Sequence, residues 1–219
     1  MQAIIKRIIT GLVLIIFFLI SFIYLPPYFF SLILGCILLH IIIFEWPRLF
    51  NPKKLPFWLL MPFYPVLPFI FLILMNQNLL YRPLIFILFV LVAIYDTGSY
   101  SVGSLIGYNK IAPHISPAKT WEGFIGGYLS VLIGLSLILW VSEIFLSYLS
   151  TAFFALIVCI LSLLGDLFES WLKRRADIKD SGVILPGHGG FLDRLDGVLF
   201  AVFFFYFCKD YLIVLFNLK

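Results

Sequence analysis

Continuous apolar runs recur along this 219-residue chain and constrain its fold more than any other feature. Their length, about 17 to 25 residues, matches the hydrocarbon core of a bilayer. The runs do not alternate with polar residues, as the strands of a membrane barrel would. Hydrophobic residues make up 63% of the sequence, too many for a water-soluble fold of this size to bury. The sequence therefore predicts an all-α integral membrane protein, folded as one polytopic helix bundle.

We expect about seven transmembrane spans. They are residues 8–24, 28–44, 57–75, 83–107, 123–141, 147–166 and 197–216. Prolines 62, 65 and 68 predict a kink or a late start in the third span, because proline removes a backbone donor. Lys209 and Asp210 interrupt the last span. The segment 45–56 is predicted to be a polar connector between the second and third spans.

Basic residues are distributed unevenly among the predicted loops. With a cytoplasmic N-terminus, the inner segments hold 12 of the 15 Lys and Arg residues, and only Arg82, Lys209 and Lys219 lie outside. Cytoplasmic loops carry such an excess, so we predict that the N-terminus is cytoplasmic and the C-terminus is not. The net charge of +4 is then a sign of topology, and no nucleic-acid partner is expected. Loop 108–122 and stretch 165–196 fall on the same side.

Stretch 165–196 concentrates charge in a chain that is only 12% charged. Asp166 and Glu169 have i, i+3 spacing at the end of the sixth span, and Asp193 and Asp196 repeat it at the start of the seventh. Ionisable groups at membrane depth are costly and are normally functional or paired. Two acidic pairs converging from neighbouring helices would form an oxygen site suited to Mg²⁺. The alternative is a set of structural ion pairs with the arginines of the same stretch.

The same stretch also contains candidate phosphate ligands. Lys173, Arg174, Lys179 and Arg194 supply positive charge. The run 186–190 places His188 among three glycines, whose N–H groups could approach an anion closely. The alternative is that these cations only set the topology and contact anionic lipid headgroups.

Loop 108–122 leads into the fifth predicted span through a short polar segment. Ser116, Lys119 and Thr120 come directly before the helix, where the dipole and free N–H groups favour phosphate. N-capping by Thr120 is the alternative, although Gly123 stands where a capping box expects Glu or Gln.

The fourth predicted helix offers both a packing face and a site residue. Ser99, Gly103 and Gly107 recur every four residues, so one face is small enough for close helix packing. Asp96, one turn before Tyr100, ends an apolar run and is a candidate for lining the same cavity as the charged stretch.

Carboxylates, cations and glycines at one predicted membrane face favour phosphoryl or nucleotidyl transfer between a cytosolic nucleotide and a membrane lipid. The sequence shows no Ser/His/Asp arrangement and no Walker loop. Cys36, Cys159 and Cys208 each lie alone in an apolar run, so neither a disulfide framework nor a zinc site is expected.

These residues resemble the signature of the phosphatidate cytidylyltransferases, or CDP-diacylglycerol synthases. The matching positions in 170–196 are Ser170, Lys173, Arg174, Lys179, Asp180, Gly182, Pro186, Gly187, His188, Gly189, Gly190, Asp193, Arg194 and Asp196. Asp96, Thr97, Tyr100, Gly103 and Gly107 agree as well, as do residues 116–123 except Ala118, which replaces a polar or basic residue. The resemblance covers roughly the C-terminal 60% of the chain. We expect a single membrane domain, 1–219, with hydrophobic helices in 1–82 and a catalytic core in 83–219.

The resemblance implies transfer of the cytidylyl group of CTP to phosphatidic acid, with Mg²⁺ and optionally a second, monovalent cation. The implied metal ligands are Asp166, Asp193, Asp196 and Glu169, and the implied catalytic residues are Asp166, Asp193, Lys173 and Arg194. The implied substrate-binding residues are Lys119, Ser116, Thr120, Arg174, Lys179, Asp180, His188, Gly189, Gly190, Asp96 and Tyr100. It also implies a homodimer among membrane lipids, in a bacterial inner membrane, with the site facing the cytoplasm.

Three other functions fit the sequence less well. A CTP-dependent polyprenol or phytol kinase would transfer the γ-phosphoryl group, and the run from Lys179 through the glycines to Asp196 disfavours it. A CDP-alcohol phosphotransferase has a different acidic motif, which is missing from this sequence. An ion-coupled transporter would carry its acidic residues near the middle of the membrane, whereas here they are predicted at helix ends.

Overall fold

The computed structural model describes residues 2–144, 147–187 and 189–218, with side chains from residue 9 onwards. Its helices are α1 (Gln2–Ile23), α2 (Pro27–Leu49), α3 (Leu55–Gln77), α4 (Arg82–Ile106), α5 (Trp121–Val141), α6 (Tyr148–Arg175), α7 (Leu192–Phe207) and α8 (Lys209–Leu215). Strands β1 (Lys110–Ala112) and β2 (Ser116–Thr120) form an antiparallel hairpin between α4 and α5. The prediction of a helical polytopic membrane protein is confirmed.

Five of the described helices, α2 to α6, are long and apolar enough to cross a membrane. Helices α7 and α8 make a sixth span if they are counted together, although the chain bends by 83° between them. This bend falls directly before Lys209 and Asp210, where the sequence predicts an interruption. The described apolar part of α1, Ile9–Ile23, is shorter than the other spans. The total of seven spans therefore stays a prediction.

Two helices contain a wider, π-helical turn. In α3 this turn is Pro62–Val66, where Tyr64 leaves helical geometry with φ −152° and ψ 109°. The predicted irregularity of the third span is thus confirmed. In α2 the π-turn is Ile41–Glu45, and the helix continues beyond it to Leu49. Such a turn inserts one residue and shifts which side chains face the bundle interior.

Helices α4 and α5 pack through small residues. A Cβ atom at Gly103 would lie 3.2 Å from Thr120 Oγ1, and one at Gly123 would lie 2.8 Å from the Ser99 carbonyl oxygen. A side chain at Gly107 would also collide with Thr120. The small face predicted on the fourth helix is therefore confirmed, and this contact fixes where the hairpin leaves the bundle.

Helices α6 and α7 also meet backbone to backbone. A Cβ atom at Gly165 would overlap the carbonyl oxygen of Asp196 and would lie 3.0 Å from Gly197 Cα. Helix α6 runs on to Arg175, past the predicted end at 166, and α7 begins at Leu192, before the predicted start at 197.

We call the end of the bundle that carries hairpin 110–120 and loop 176–191 the site end.

Candidate active site

Lys173 on α6 holds two carboxylates together. Its Nζ lies 2.7 Å from Asp193 Oδ1 on α7 and 3.0 Å from Glu169 Oε2, one turn back on α6. Glu169 is fully buried, and its second oxygen has no hydrogen-bond partner among the described residues. One lysine on α6 therefore contacts two buried acidic side chains, one on its own helix and one on α7.

The second oxygen of Asp193 organises the loop before α7. Asp193 Oδ2 accepts hydrogen bonds from the Ser181 amide at 2.9 Å, the Ser181 hydroxyl at 3.0 Å and the Gly190 amide at 2.8 Å. Hydrogen bonds to an ionised acceptor are stronger than those between neutral groups. Asp193 therefore links Lys173 to the glycine-rich loop and fixes the start of α7.

The glycines of this loop make room for carboxylates of the protein itself. Gly189 has φ +83°, and a Cβ atom there would lie 2.5 Å from Asp193 Oδ2. A Cβ atom at Gly190 would lie 2.5 Å from both Glu45 Oε2 and Ser181 Oγ. The sequence predicts that these glycines let an anion approach the backbone. The anions that do so in this structure are Asp193 and Glu45, and contacts of Gly189 and Gly190 with substrate stay a prediction.

Glu45 is a site residue that the sequence analysis missed. Its carboxylate is fully buried and accepts hydrogen bonds from the amides of Phe191 at 2.8 Å and Leu192 at 2.9 Å. These amides lie at the N-terminus of α7, where unpaired N–H groups and the helix dipole favour an anion. The prediction of a polar connector starting at residue 45 is wrong, because α2 continues to Leu49 with Glu45 turned inward. A lone acid directly after an apolar run was the signal that could have revealed it.

Hairpin 110–120 delivers a second lysine to α6. Lys119 Nζ forms an ion pair with Asp166 Oδ2, and Ser170 Oγ donates to Asp166 Oδ1 at 3.3 Å. Burial lowers the pKa of Lys119, but the charge and hydrogen bond of Asp166, together with the charges of Asp96 and Asp196, raise it more, so the pKa of this ammonium group lies above its ordinary value. Lys119 is therefore a cation at neutral pH and neutralises Asp166.

Three aspartates from three helices share one electrostatic environment. Asp196 on α7 lies close enough to Asp166, Asp96 and Lys119 to interact with them electrostatically. Asp96 on α4 is attracted in turn by Lys119 and Arg194. The structure therefore brings the three aspartates and their two cations to one region at the site end.

Two predicted substrate ligands have structural partners within the protein. Thr120 is buried, and its hydroxyl accepts from the Gly123 amide at 3.1 Å, so it is the N-cap of α5 even without a capping box. Arg174 Nε donates to the Ile115 carbonyl at 3.3 Å, which ties the end of α6 to the hairpin. Whether either residue also contacts substrate stays a prediction.

The remaining predicted ligands are accessible from solvent or lie outside the described residues. Tyr100 is 77% exposed. Lys179, Asp180 and Arg194 are exposed as well, and Ser116 is half-buried. His188 lies outside the described residues, so its predicted phosphate contact has no structural counterpart here.

The carboxylates suit a hard cation. Among the residues that the structure describes, no three His, Cys, Asp or Glu side chains stand close enough to hold a metal by themselves. Mg²⁺, however, is usually bound by one or two carboxylates together with water and substrate phosphates. Asp166 and Asp196 are both half-buried and offer such oxygens, so the donor set fits Mg²⁺.

The fold and the site define a class, a polytopic helical membrane protein whose helix ends carry aspartates and lysines suited to phosphate chemistry. The sequence model of the Cytidylyltransferase family matches residues 47–212. The chain therefore belongs to the cytidylyltransferase family.

Curated relatives agree with this assignment. The chain is 36% identical over 200 residues to a phosphatidate cytidylyltransferase of Rickettsia bellii, covering 88% of this chain and 85% of that protein. It is 44% identical over 133 residues to the phosphatidate cytidylyltransferase of Bacillus subtilis, covering 60% of this chain and 49% of the relative. The corresponding protein of Haemophilus influenzae is 37% identical over 182 residues, covering 71% of this chain and 61% of the relative. The chain thus spans about half the length of the Bacillus relative and most of the Rickettsia one.

Proposed function

We propose that this protein transfers the cytidylyl group of CTP to phosphatidic acid, forming CDP-diacylglycerol and pyrophosphate for phospholipid biosynthesis. One observation carries the proposal. The Lys119–Asp166 and Lys173–Asp193 pairs lie at adjoining ends of α6 and α7, beside apolar helices that suit a lipid substrate. The names of the relatives in Rickettsia, Bacillus and Haemophilus support the same activity.

The reaction needs charge neutralisation more than proton transfer. An oxygen of the phosphatidic acid phosphate attacks the α-phosphorus of CTP, the bond between the α- and β-phosphates breaks, and pyrophosphate leaves. The attacking phosphate is already an anion, so no general base is required. Lys119, Lys173 and Arg194 supply positive charge where two polyanions must meet.

Mg²⁺, when bound, would offset the charge of the phosphates and of the leaving pyrophosphate. Asp166 and Asp196 would hold it. Further oxygens nearby are Asp193 Oδ1 and the Glu169 oxygen that has no hydrogen-bond partner among the described residues. The ion pairs with Lys119 and Lys173 keep the carboxyl groups of Asp166, Glu169 and Asp193 in place.

The proposal includes a site that faces the cytoplasm, in a bacterial inner membrane. The predicted inner segments carry 12 of the 15 basic residues, and CTP is a cytosolic nucleotide. A homodimer and a second, monovalent cation are part of the same proposal. Cross-linking in native membranes tests the dimer, and the dependence of activity on potassium concentration tests the second cation.

Product analysis tests the proposed reaction. Purified protein, phosphatidic acid in mixed micelles, CTP and Mg²⁺ are incubated, and soluble and lipid products are measured together. We expect one pyrophosphate for each CDP-diacylglycerol, and no product without phosphatidic acid. Release of CDP with a newly phosphorylated lipid would contradict the proposal.

A further inference from the structure

We propose that Glu45 is a positioning residue for the active site, and that its buried carboxylate fixes the loop and helix start that orient Asp193. This inference rests on the proposed function, since it concerns the same site. Glu45 lies on α2, two residues before the segment 47–212 that matches the family. It would give α2 an indirect part in the reaction, through the position of Asp193.

Glu45 is a buried acid held mainly by backbone amides. Phe191 and Leu192 donate to its two oxygens at 2.8 and 2.9 Å, and His40 Nε2 lies 3.5 Å from Oε1. A buried carboxylate is costly unless such partners compensate its lost hydration. Two amides at the start of the 16-residue helix α7 supply that compensation, together with the helix dipole.

A single hydroxyl connects Glu45 to Asp193. Ser181 Oγ lies 2.9 Å from Glu45 Oε2 and 3.0 Å from Asp193 Oδ2. A hydroxyl carries one hydrogen, so the two carboxylates share it. Any shift of Glu45 therefore changes the hydrogen bonding of Asp193, which in turn contacts Lys173.

The loop is shaped to receive Glu45. A Cβ atom at Gly182 would lie 3.1 Å from Glu45 Oε1, and one at Gly190 would lie 2.5 Å from Oε2. These two glycines lie against each other and thus leave the space that this carboxylate fills. The π-turn Ile41–Glu45 ends at the same residue and turns it inward.

Glu45→Gln is the primary test, because the side chain keeps its size. A glutamine amide nitrogen cannot accept a hydrogen bond, so at least one donor among Phe191, Leu192 and Ser181 loses its partner. Partners of this kind typically contribute about 10- to 100-fold to activity. We expect kcat for CDP-diacylglycerol synthesis to fall at least tenfold, with KM for CTP and phosphatidic acid within about twofold. An unchanged kcat would overturn the proposal.

A double-mutant cycle tests the connection to Asp193. Ser181→Ala keeps both amide bonds to Glu45 and removes only the shared hydroxyl. If Glu45 acts through Ser181, the double variant should lose clearly less than the product of the two single losses. Simple multiplication of the two losses would show that Glu45 does not act through this route. If Glu45→Gln does not accumulate in the membrane, Ser181→Ala alone tests the proposal. An unchanged kcat of Ser181→Ala would then contradict it.

Asn76→Ala is the matched control. Asn76 is a fully buried polar residue on α3, and its amide donates to Ser31 Oγ at 2.9 Å, far along the chain from the loop. We expect this variant to lower thermal stability and to leave kcat unchanged. An equal loss of kcat in Glu45→Gln and Asn76→Ala would show that Glu45 affects the reaction only through the general stability of the fold.

Amide hydrogen exchange separates this inference from the proposed function. Glu45→Gln should speed exchange at residues 190–193 and leave the middle of α6 unchanged, whatever reaction the protein catalyses. A wild-type protein that forms no CDP-diacylglycerol would contradict the proposed function. Unchanged exchange at residues 190–193 would contradict the role of Glu45.

Discussion

Lys173 and Asp193 form an ion pair across two helices, with Nζ 2.7 Å from Oδ1. The pair joins the end of α6 to the first turn of α7. The other oxygen of the same carboxylate accepts from Ser181 and Gly190. Asp193 thus connects Lys173, a cation suited to phosphate binding, with the loop that comes directly before α7.

Asp193→Asn should reduce CDP-diacylglycerol synthesis by about 100-fold or more, a loss typical of a key electrostatic group. An asparagine nitrogen cannot accept the bonds from Ser181 and Gly190, and the neutral amide attracts Lys173 less. Initial rates at saturating substrate, normalised to the amount of protein in the membrane, measure this. Asp210→Asn, an exposed acid that accepts from Tyr81 at 2.6 Å, is the matched control and should keep activity within about twofold. Near-normal activity of Asp193→Asn would show that the Asp193 carboxylate is not needed for the reaction.

Gly165→Ala should push α7 away from α6, because its Cβ atom would overlap the Asp196 carbonyl oxygen. Overpacking of this kind costs about 1 to 3 kcal/mol, and the shift displaces Asp196 from Asp166. We expect a lower midpoint of thermal unfolding and lower activity. Gly35→Ala on α2 is the control, since a Cβ atom there meets nothing within 4 Å. Equal behaviour of the two variants would contradict the backbone contact.

Thr120→Val should cost about 1 kcal/mol of stability, because it removes the hydroxyl that caps α5 at Gly123. Thr120→Ser should keep the cap and most of the stability. If Thr120 is only a cap, KM for CTP stays the same in both variants. A large rise in KM for Thr120→Val, with stability unchanged, would instead support the substrate contact predicted from the sequence.

Lys119 should resist amine-reactive labelling in alkaline solution, since only a neutral amine reacts and the pKa of Lys119 is raised. The Lys119–Asp166 attraction is present in full below the lysine pKa of the unfolded chain and is lost as pH rises through the higher folded pKa. At about pH 9, mass spectrometry should find Lys119 labelled more slowly than the exposed Lys110. Asp166→Asn removes the attraction and leaves burial, so labelling of Lys119 should speed up. No change in this variant would contradict the ion pair.

The helical bundle and its charged end could be predicted because both depend on local sequence. Apolar runs of bilayer length predict transmembrane helices directly. The prolines of α3 and the charged residues Lys209 and Asp210 predict the two breaks that the structure shows. The small face of α4 follows from a four-residue period.

Long-range contacts could not be predicted in the same way. Glu45 ends a π-turn, which has no reliable sequence signal, and its partners at the start of α7 lie more than a hundred residues away. Hairpin 110–120 has strands too short for an alternating pattern, so it was predicted as a loop. The sharing of Ser181 between two carboxylates depends on side-chain geometry, which spacing alone does not reveal.

The transfer of label from CTP tests the central claim most directly. Purified protein is incubated with phosphatidic acid, Mg²⁺ and CTP that carries radioactive phosphorus at either the α- or the γ-position, and the lipid fraction is extracted and counted. The account predicts label in the lipid from α-labelled CTP and none from γ-labelled CTP. Label arriving only from the γ-position would make the protein a lipid kinase and would contradict the account.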